Sequence, residues 1–494
     1  MSGWRTLLDA ARIPKAALQD AWCNPEQQQF ELLQRLLDAN SDAEFGRHHD
    51  FAGLRTVDAY RAAVPIRNYS AFKPFIDRIA SGEAGVLTTA PVIAFEETGG
   101  SESGSKLIPY TEASLASFRA AVLPWLADLA QRRPGIVAGS TYVSISPATR
   151  QARQTPGGIT IGLGSDAAYL GEDLVEAFVS LLAVPPDVAA IPDIDDWRVA
   201  TLAHLVMHDD LSFVSVWSPT FLLELVEALP ALADKVAARI NAEGRHRLAA
   251  ALGAPDIDTS LLWPRLDTIS CWADGSSSVF ARKLAELCPR TAIEPKGLIA
   301  TEAAMTVPWG GEAGSVPALT STFIEFEAEN GALKLSHELC SGARYRLIIT
   351  TFGGLYRYDM GDRVCCIGHT GNVPRLVFEG RASLVSDMVG EKLDEAFVAS
   401  VLSRLSVPAV LVPKTQPKPY YELWLDSPYT ETVVPKVEAG LRCNSQYAYA
   451  RDIGQLGPLV QILKPGFCSL KTAQRANSGQ RLGDVKHIAL LPQQ

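Results

Sequence analysis

The chain alternates short β-branched runs with longer amphipathic ones, and this alternation limits its fold more than any other feature. After residue 140 the runs TYVSIS, GITIGLG and LSFVSVW alternate with helical patterns such as FLLELVEALPALADKVAARINAEGRHRLAAAL. Such alternation is typical of α/β layers with mixed sheets. Residues 320–380 are instead dominated by strand-like runs, among them STFIEFEA, ARYRLIITTF and DRVCCIGHTG. The sequence therefore predicts an α/β protein with mixed sheets and a β-rich part that contains antiparallel hairpins.

The two ends of the chain have patterns of their own. Asn24-Pro25 resembles a helix N-cap followed by proline at the first helical position, and it leads into the amphipathic run FELLQRLLDAN. After Gly380 a hairpin-like run precedes a helical pattern, two strand-like runs and a further helix. A chain of 494 residues is too long for one compact core. We predict a large domain, residues 1–379, and a small mobile α+β domain, residues 380–494.

Composition excludes several classes of partner. The formal net charge of −10 argues against nucleic acid as a principal partner. Apolar runs such as AVLPWLADLA are interrupted well before the roughly 18 residues that a transmembrane helix needs. The eight cysteines are scattered without C-x-x-C pairs, which favours reduced thiols over a disulfide framework. We expect a soluble cytoplasmic protein that does not bind a membrane.

The stretch TGGSESGSK, residues 98–106, is a candidate phosphate-binding loop. It is not a P-loop, because Ser105 precedes Lys106 where that motif has lysine directly after glycine. Small residues nevertheless let backbone N–H groups converge on an anion, the hydroxyls of Thr98 and Ser101 add donors, and Lys106 adds charge. The alternative is a surface turn, since glycine and serine clusters usually mark loops.

Two further stretches carry candidate carboxylates. Thr301-Glu302 follows the strand-like run IEPKGLIA, where a carboxylate can hold Mg²⁺ against a nucleotide phosphate; a helix start is the alternative. Gly361-Asp362 is predicted in a tight turn between two strands, where Asp362 can accept hydrogen bonds from ribose hydroxyls; an ordinary hairpin turn is the alternative. Arg381 and Lys392 flank the proposed domain junction, with plain surface charge as the alternative.

Aromatic and histidine residues suggest two weaker sites. Four aromatic residues are candidates for the apolar wall of an acyl pocket, although each is also a normal core residue: Phe118, Trp125, Trp217 and Phe221. The run HLVMH places His204 and His208 on one helical face, but it lacks the glutamate of the H-E-x-x-H zinc motif. Histidines on a helix surface are therefore the favoured interpretation, with a zinc site as the alternative.

The motifs together resemble a known family. TGGSESGSKLIPYT, LIATEA, YRYDMGDRV and VFEGRASLVSDMVGEKLDEAFV, in this order, resemble the adenylate-forming ligase superfamily. The resemblance is greatest to its auxin-responsive branch, the acyl acid–amido synthetases that conjugate plant hormones to amino acids. YRYxxGD followed by F-x-x-R and G-E-K is specific to that branch, whereas the loop or the T-E pair alone is not.

The resemblance implies roles for individual residues. Thr301 is expected to contact the α-phosphate, Glu302 to bind Mg²⁺ and Asp362 to bind the ribose. Lys486, in the closing segment GQRLGDVKHIALL, is expected to approach the acyl-adenylate, so Thr301, Glu302 and Lys486 are the catalytic candidates. The residues expected to bind ATP are Thr98, Gly100, Ser101, Lys106, Leu298, Thr301, Asp362, Arg381 and Lys392.

Three positions depart from the family pattern. Gly99 and Glu102 stand where the family's loop carries hydroxyl residues. A carboxylate at Glu102 would repel phosphate unless it is turned outward or bound to Mg²⁺. Leu298 stands where plant members carry a tyrosine that packs on adenine, although an aliphatic side chain can also cover the ring.

The implied activity is ATP-dependent formation of an amide. A carboxylic acid is activated as acyl-AMP and the acyl group is passed to an amino acid or another amine, with ATP and Mg²⁺ required. A small domain that moves between the two half-reactions fits this chemistry. We expect a monomer or weak homodimer. The alternatives are an acyl-CoA ligase with the same adenylation step, a nucleotide- or acyl-binding protein with impaired adenylation and, more remotely, a zinc hydrolase.

Overall fold

A computed structural model describes residues 2–98, 106–144, 153–163, 166–253, 257–381, 385–416, 418–428, 433–468 and 487–492. Its α-helices are α1 (Ser2–Cys23), α2 (Pro25–Ala39), α3 (Glu44–His48), α4 (Val57–Ala63), α5 (Tyr69–Ala80), α6 (Glu112–Arg132), α7 (Glu172–Val179), α8 (Ile194–Met207), α9 (Pro219–Glu227), α10 (Leu229–Ala237), α11 (Ala242–Leu252), α12 (Thr259–Leu262), α13 (Ser278–Leu287), α14 (Glu395–Leu402), α15 (Val433–Leu441) and α16 (Ser445–Asp452).

The strands alternate with these helices in the first half of the chain and follow one another closely in the second. They are β1 (Ala94–Thr98), β2 (Lys106–Tyr110), β3 (Ser140–Val143), β4 (Arg153–Gln154), β5 (Thr160–Ile161), β6 (Leu211–Ser215), β7 (Thr268–Cys271), β8 (Ala292–Pro295), β9 (Thr306–Pro308), β10 (Ser315–Pro317), β11 (Phe323–Ala328), β12 (Leu333–Lys334), β13 (Arg344–Thr350), β14 (Tyr358–Thr370), β15 (Val373–Arg381), β16 (Val385–Ser386), β17 (Leu393–Asp394), β18 (Ala409–Lys414), β19 (Tyr420–Leu425) and β20 (Val460–Leu463).

Local sequence explains where the helices begin. Pro25 occupies the first turn of α2 after Asn24, as the sequence predicts, although the Asn24 side chain makes no capping hydrogen bond. Helix α6 begins with a reciprocal cap, in which the Thr111 and Ser114 side chains each accept a backbone N–H from the other residue. The long helical pattern after residue 219 forms three helices rather than one, because Pro230 starts a new first turn in α10 and Asn241 caps α11.

A parallel sheet has the strand order β3-β6-β7-β8. Its carboxyl ends all meet at one edge, since every neighbouring pair is parallel. Helix α6 and Phe213 of β6 lie on one face in a core cluster shared with α1, whereas Val214 and Ile269 face a second cluster built around α8 and α9. A separate mixed sheet has the order β2-β1-β5-β4, in which GITIGLG contributes only the two-residue strand β5.

A seven-stranded antiparallel sheet has the order β12-β11-β13-β14-β15-β10-β9. Its buried face joins the core formed by α2 to α5 and the β1–β2 hairpin. Glu325 of β11 is fully buried and accepts hydrogen bonds from Arg357 Nε at 2.8 Å and from Arg61 Nε at 2.8 Å. This ion network fastens helix α4 to the sheet, and the sheet confirms the β-rich part predicted from the sequence.

The chain after Arg381 forms the β16–β17 hairpin, α14, the sheet β18-β19-β20, and α15 and α16. One core cluster takes all its members from residues beyond 387. Glu391 is fully buried in this part, where it accepts N–H groups of Met388 and Val389 and the Tyr421 hydroxyl at 2.5–3.0 Å. Within the described ranges, no helix has the length and apolar character needed to cross a membrane.

Candidate active site

Thr98 and Lys106 lie opposite each other at the mouth of the β1–β2 hairpin. The predicted loop residues between them, including Gly100 and Ser101, lie outside the described residues. The Lys106 ammonium is 5.4 Å from the Tyr69 ring centroid. The Tyr69 hydroxyl accepts the Leu107 N–H at 2.8 Å, so helix α5 holds the first residues of β2 in place. The two candidate residues on either side of the loop are therefore brought together on a supported hairpin.

Thr301 and Glu302 lie in a tight bend between β8 and β9, where Ile299 bridges Ala304. The Tyr110 hydroxyl of β2 donates to the Thr301 carbonyl oxygen at 2.5 Å. The alternative that this pair begins a helix is wrong, because the segment returns on itself and continues as strand β9. The bend instead lies against the hairpin that carries Lys106, through its Thr301 carbonyl oxygen.

Electrostatics place Glu302 close to two tyrosines of that region. Burial raises the pKa of Tyr110, and the Glu96 and Glu302 carboxylates raise it further. Burial also raises the pKa of Tyr69, with smaller increases from Asp77 and Glu302. The Tyr69 ring thus lies near the Lys106 ammonium, and the negative charge of Glu302 raises the pKa of the Tyr69 hydroxyl. The Lys106 ammonium and the Thr301-Glu302 bend therefore both lie against residues that belong to or contact strand β2, and a phosphate with a bound divalent cation needs a cation and a carboxylate in one region.

Asp362 lies within β14 and is fully buried. The predicted tight turn between two strands is wrong. Arg346 pairs with Arg363 and Ile348 with Asp359, so the three residues 360–362 oppose Leu347 alone in a β-bulge. Gly361 adopts a φ of 72° there, a left-handed conformation that glycine provides in tight turns as well as in bulges. Bulges redirect side chains and are frequent beside active sites, so the buried strand position remains compatible with ligand binding.

Arg381 pairs with Asp362 through the backbone at the end of β15, and its side chain lies outside the described part. Its neighbour Gly380 has a φ of 145°, and a Cβ at that position would meet the Ala396 Cα at 2.6 Å. Only glycine therefore lets β15 approach α14 so closely. Lys392 is exposed in the turn between β16 and β17 with a φ of 44°. Lys486 lies outside the described residues.

Leu298 is buried in the core that faces the β1–β2 hairpin, with 8% of its surface exposed. Its backbone N–H donates to the Thr306 hydroxyl at 2.9 Å. The preceding Gly297 has a φ of 71°, and a Cβ there would meet the Thr306 carbonyl oxygen at 2.5 Å. This glycine therefore fixes the path of the chain from β8 to the Thr301-Glu302 bend.

The sequence interpretation missed Lys296, which directly follows β8. Its side chain lies at the carboxyl edge of the parallel sheet, where its ammonium is 2.7 Å from the Ser215 hydroxyl. Trp125 and Trp217, two of the predicted acyl-wall residues, each place a ring centroid 5.0 Å from this ammonium. The sequence signal available for Lys296 was its position directly after a strand-like run. Phe118 belongs to the cluster around Trp125.

Phe221 does not belong to this wall. It packs against Trp197 in the cluster on the opposite face of the parallel sheet, because α9 crosses that face. The two histidines of HLVMH lie at the end of α8, where His208 Nδ1 is 3.2 Å from an Asp210 carboxylate oxygen. In the part of the chain that the structure describes, no three or more His, Cys, Asp or Glu side chains are grouped to hold a metal ion.

The fold is that of adenylate-forming ligases. A solved structure of 2-hydroxyisobutyryl-CoA ligase, in its postadenylation state, is similar at a TM-score of 0.56 and 13% identity, with 95% of this chain and 90% of the other covered. AtGH3.15, an acyl acid amido synthetase solved with 2,4-DB, is similar at a TM-score of 0.87 and 17% identity, with 98% and 94% covered. The α/β class predicted from the sequence is confirmed.

Family comparison gives the narrower assignment. The GH3 family N-terminal domain matches residues 15–293, more than half of the chain, and the GH3 family central domain matches residues 316–381. The chain belongs to the GH3 family. This membership confirms the family predicted from the sequence and, with it, an enzyme of the ligase class.

Named relatives are similar over most of their length. The putative indole-3-acetic acid-amido synthetase GH3.10 of Oryza sativa subsp. japonica is 26% identical over 433 residues, which covers 81% of this chain and 88% of the relative. The jasmonoyl–L-amino acid synthetase JAR6 of Nicotiana attenuata is 23% identical, with 72% and 69% covered. The names of these relatives thus refer to two different acyl groups, indole-3-acetyl and jasmonoyl.

Proposed function

We propose that this protein activates a carboxylic acid with ATP as an acyl-adenylate and transfers the acyl group to an amino acid or another amine. The observation that carries the proposal is the contact of the Thr301-Glu302 bend with the hairpin that carries Lys106, through the Tyr110 hydroxyl. This geometry joins two sequence motifs that lie far apart in the chain. The relatives' names, all amido synthetases or amino acid synthetases, support an amine as the acceptor.

ATP is a substrate in this proposal, and its contacts follow the strand ends and the bulge. Thr98, Lys106 and the loop residues Gly100 and Ser101 bind phosphates, and Thr301 contacts the α-phosphate. Asp362 binds the ribose from the bulge of β14, and Leu298 lies beside the adenine. Arg381 and Lys392 contact the nucleotide from the C-terminal part, and Lys486 approaches the acyl-adenylate.

Magnesium fits the donor set at Glu302. Mg²⁺ is commonly bound through one or two carboxylates, with phosphate oxygens and water completing its six positions. Glu302 is a half-buried carboxylate on a bend beside the proposed phosphate-binding hairpin, which is the single protein ligand such a site needs. Bound Mg²⁺ would neutralise phosphate charge during transfer, while Lys106 supplies a fixed positive charge from the protein.

The chemistry needs positioning and charge neutralisation rather than a protein nucleophile. A carboxylate is a poor acyl donor because oxide or hydroxide would have to leave. In the first step its oxygen attacks the α-phosphorus of ATP and pyrophosphate leaves, which gives an acyl-AMP mixed anhydride. In the second step an amine attacks the acyl carbon, AMP leaves and the amine loses a proton. Backbone N–H groups, Thr301 and lysine side chains stabilise the charge that develops on phosphate oxygens.

The two steps require different surroundings, and we assign the change to movement of a small domain, residues 380–494, against residues 1–379. The separate core beyond residue 387 supports this division. So does the glycine-dependent contact between Gly380 and α14, because a hinge needs backbone positions that tolerate large changes of φ and ψ. We further propose a cytoplasmic location and a monomer or weak homodimer that binds neither nucleic acid nor membranes.

The test is pyrophosphate release over a panel of carboxylic acids, measured with no acceptor, with each of the amino acids, and with coenzyme A. Acid-dependent release that leads to an amide supports the proposal. A thioester product formed only with coenzyme A would replace the amide ligase by an acyl-CoA ligase. ATP binding without release under any condition would indicate a binding protein that has lost adenylation.

A further inference from the structure

The turn between β16 and β17 is closed around a buried carboxylate. Residues 387–392 form this turn, and Glu391 within it is fully buried. Both Glu391 oxygens lie 3.0 Å from the Met388 nitrogen. One oxygen also accepts the Val389 N–H at 2.8 Å, and the other accepts the Tyr421 hydroxyl at 2.5 Å. A carboxylate only accepts hydrogen bonds, so it suits these donors, whereas a glutamine amide would turn a donor of its own toward one of them.

Tyr421 connects this carboxylate to the three-stranded sheet of the C-terminal part. It belongs to β19, is 1% exposed, and its hydroxyl oxygen lies 2.6 Å from Oγ of Ser386 in β16. Since the single tyrosine proton goes to Glu391, the Ser386 hydroxyl donates to the tyrosine oxygen. Burial and the hydrogen bond to Glu391 both raise the pKa of Tyr421, which therefore stays a neutral donor. The turn is thus held by a strand outside its own hairpin.

Glu391 is buried without a cation. Its hydrogen-bond partners among the described residues are all neutral groups, whereas Glu325 receives two guanidinium groups. Burying a carboxylate carries a large desolvation penalty, which neutral donors offset only in part. A turn between two short strands forms equally well with neutral turn residues. The carboxylate is therefore a candidate for a role beyond the stability of the hairpin.

Lys392 follows Glu391 and has an unusual backbone conformation. Its φ of 44° lies in the left-handed region, which glycine or asparagine usually occupies and which is unfavourable for lysine. Glu391 and Leu393 on either side of it are buried, so its own side chain extends into solvent. It forms no hydrogen bond or ion pair with the residues that the structure describes. Strained backbone positions cluster at ligand sites, and an unpaired ammonium at such a position suits an anionic ligand.

An ion pair places this hairpin beside the Asp362 bulge. Asp394 of β17 accepts a hydrogen bond from Nη1 of Arg363 at 2.9 Å, and Arg363 directly follows Asp362. The other Asp394 oxygen accepts the Phe397 N–H and caps α14. Lys392 precedes Asp394 by two residues, a span of about 7 Å along an extended strand. The Lys392 ammonium therefore belongs to the hairpin that contacts β14 next to the proposed ribose contact.

We propose that Glu391 is a positioning residue, whose hydrogen bonds hold the turn so that the Lys392 ammonium contacts the α-phosphate of the nucleotide. This inference rests on the proposed function, in which Asp362 binds the ribose. The α-phosphate is joined directly to the ribose, so a cation beside Asp362 meets this phosphate before the others. ATP, acyl-AMP and AMP all carry the α-phosphate, whereas adenosine lacks it.

The test compares AMP with adenosine, which differ only in that phosphate. Calorimetry with the full-length protein gives both dissociation constants without any turnover. Lys392→Met should weaken AMP binding by about tenfold and leave adenosine binding unchanged, since one charge-assisted hydrogen bond is lost. Lys392→Arg should retain most of the AMP affinity. Lys418→Met, at an exposed position of the same C-terminal part, is the matched control and should change neither constant.

Variants of the turn separate positioning from stability. Glu391→Gln should weaken AMP binding by about threefold to tenfold, again without an effect on adenosine. In the Lys392→Met background the same substitution should change AMP affinity by less than about twofold, because it acts only through the lysine. Lys392→Gly relieves the left-handed backbone, so its melting temperature should equal or exceed that of the wild type while its AMP affinity falls. Tyr421→Phe removes one donor to the carboxylate and should also weaken AMP binding, which keeps the test decisive if Glu391→Gln does not fold.

Three results would overturn the inference. The first is an AMP affinity that Lys392→Met leaves unchanged, or no AMP binding at all. The second is an equal loss of AMP and adenosine affinity in Glu391→Gln or Tyr421→Phe, which would restrict the network to stability. The third is a loss from either substitution that persists in the Lys392→Met background. Acid-dependent pyrophosphate release by a protein whose AMP affinity does not depend on Lys392 would remove this inference and leave the proposed function standing.

Discussion

The antiparallel and the parallel sheet bury charged groups in different ways. In the antiparallel sheet, Glu325 is fully buried and receives Arg357 and Arg61, each at 2.8 Å. Arg357 also donates to the carbonyl oxygens of Arg61 and Val64 at 2.9 and 2.7 Å. In the parallel sheet, Lys296 instead faces two indole rings and the Ser215 hydroxyl.

This difference helps to separate structural from functional charges. The Glu325 network joins α4, β11 and the segment before β14, and its carboxylate is held by two guanidinium groups. Such a network holds chain segments in place and leaves little capacity for a ligand. The edge at Lys296 combines a cation with buried donors, Ser270 and Trp125, that have no partner among the described residues.

The largest expected effect is on stability, from Glu325→Gln. Removing one partner of a buried ion network leaves the other charges uncompensated and costs about 3–5 kcal/mol of unfolding free energy. Chemical denaturation measures this loss, and Lys296→Met should lose clearly less. Glu329→Gln, the same chemical change at an exposed position just after β11, should stay within about 0.5 kcal/mol of the wild type.

Comparable losses in Glu325→Gln and Lys296→Met would break the comparison, because Lys296 would then be as structural as the ion network. A large loss in Glu329→Gln would show instead that the denaturation assay does not separate buried from exposed charges. The distinction therefore depends on the difference in unfolding free energy between Glu325→Gln and Lys296→Met, with Glu329→Gln as the exposed control.

The second largest effect concerns Glu302, which follows the last strand of the parallel sheet. Glu302→Gln keeps the shape of the side chain and removes its charge, so adenylation should slow by about 100-fold while ATP binding changes much less. Single-turnover pyrophosphate release and ATP calorimetry give the two quantities. Normal turnover in a folded variant would restrict the role of the Thr301-Glu302 bend to structure.

Asp362 is the exception inside the antiparallel sheet, a buried charge with a proposed ligand. Asp362→Asn should weaken ATP binding by about tenfold, since one charge-assisted hydrogen bond contributes about 1.5 kcal/mol or more. Asp359→Asn provides the control, because Asp359 accepts the Gly361 N–H at 2.9 Å and supports the same bulge without being a proposed contact. Equal losses of ATP affinity in both variants would assign the effect to the bulge rather than to the ribose contact.

Pattern and spacing in the sequence were sufficient for the fold class, the family motifs and most strands. They were not sufficient for the surroundings of Asp362. The Gly361-Asp362 pair has the composition of a turn, but the pairing of Arg346 with Arg363 converts the region into a bulge inside a strand. That pairing depends on register between two strands, which local sequence does not specify. Asp362 consequently has no exposed surface, contrary to the expectation of a turn.

Lys296 was missed for a related reason. The sequence shows a lysine after a strand-like run, but it does not show that Trp125 of α6 packs beside it. The same limit explains why Phe221 was wrongly grouped with Trp125 and Trp217, since the face of the sheet that α9 covers depends on the crossover connections. Contacts between residues far apart in the chain decide which residues form the site. Periodicity in the sequence predicts only which segments form helices and strands.

The smallest expected effect is a pH dependence at Asp274, where the two sheets meet. Asp274 follows β7 of the parallel sheet, and burial raises its pKa from 3.8 to about 6, although a hydrogen bond from the Phe378 N–H of β15 opposes the rise. The folded state therefore favours the protonated carboxyl. Its contribution to stability is complete below about pH 4 and is lost as the pH rises through about 6.

Asp274→Asn removes this titration, so the sign of its effect follows directly. The melting temperature of the wild type should fall relative to that of the variant as the pH rises from 4 to 7, by about 1–3 °C for a chain longer than 250 residues. Thermal unfolding of both proteins at each pH gives the difference, in which the other carboxylates cancel. A constant difference across this range would mean that Asp274 ionises as freely in the folded protein as in the unfolded chain. Water would then reach the contact between β7 and β15. Ionising a carboxylate at this boundary would carry no desolvation penalty, unlike in the interior of either sheet.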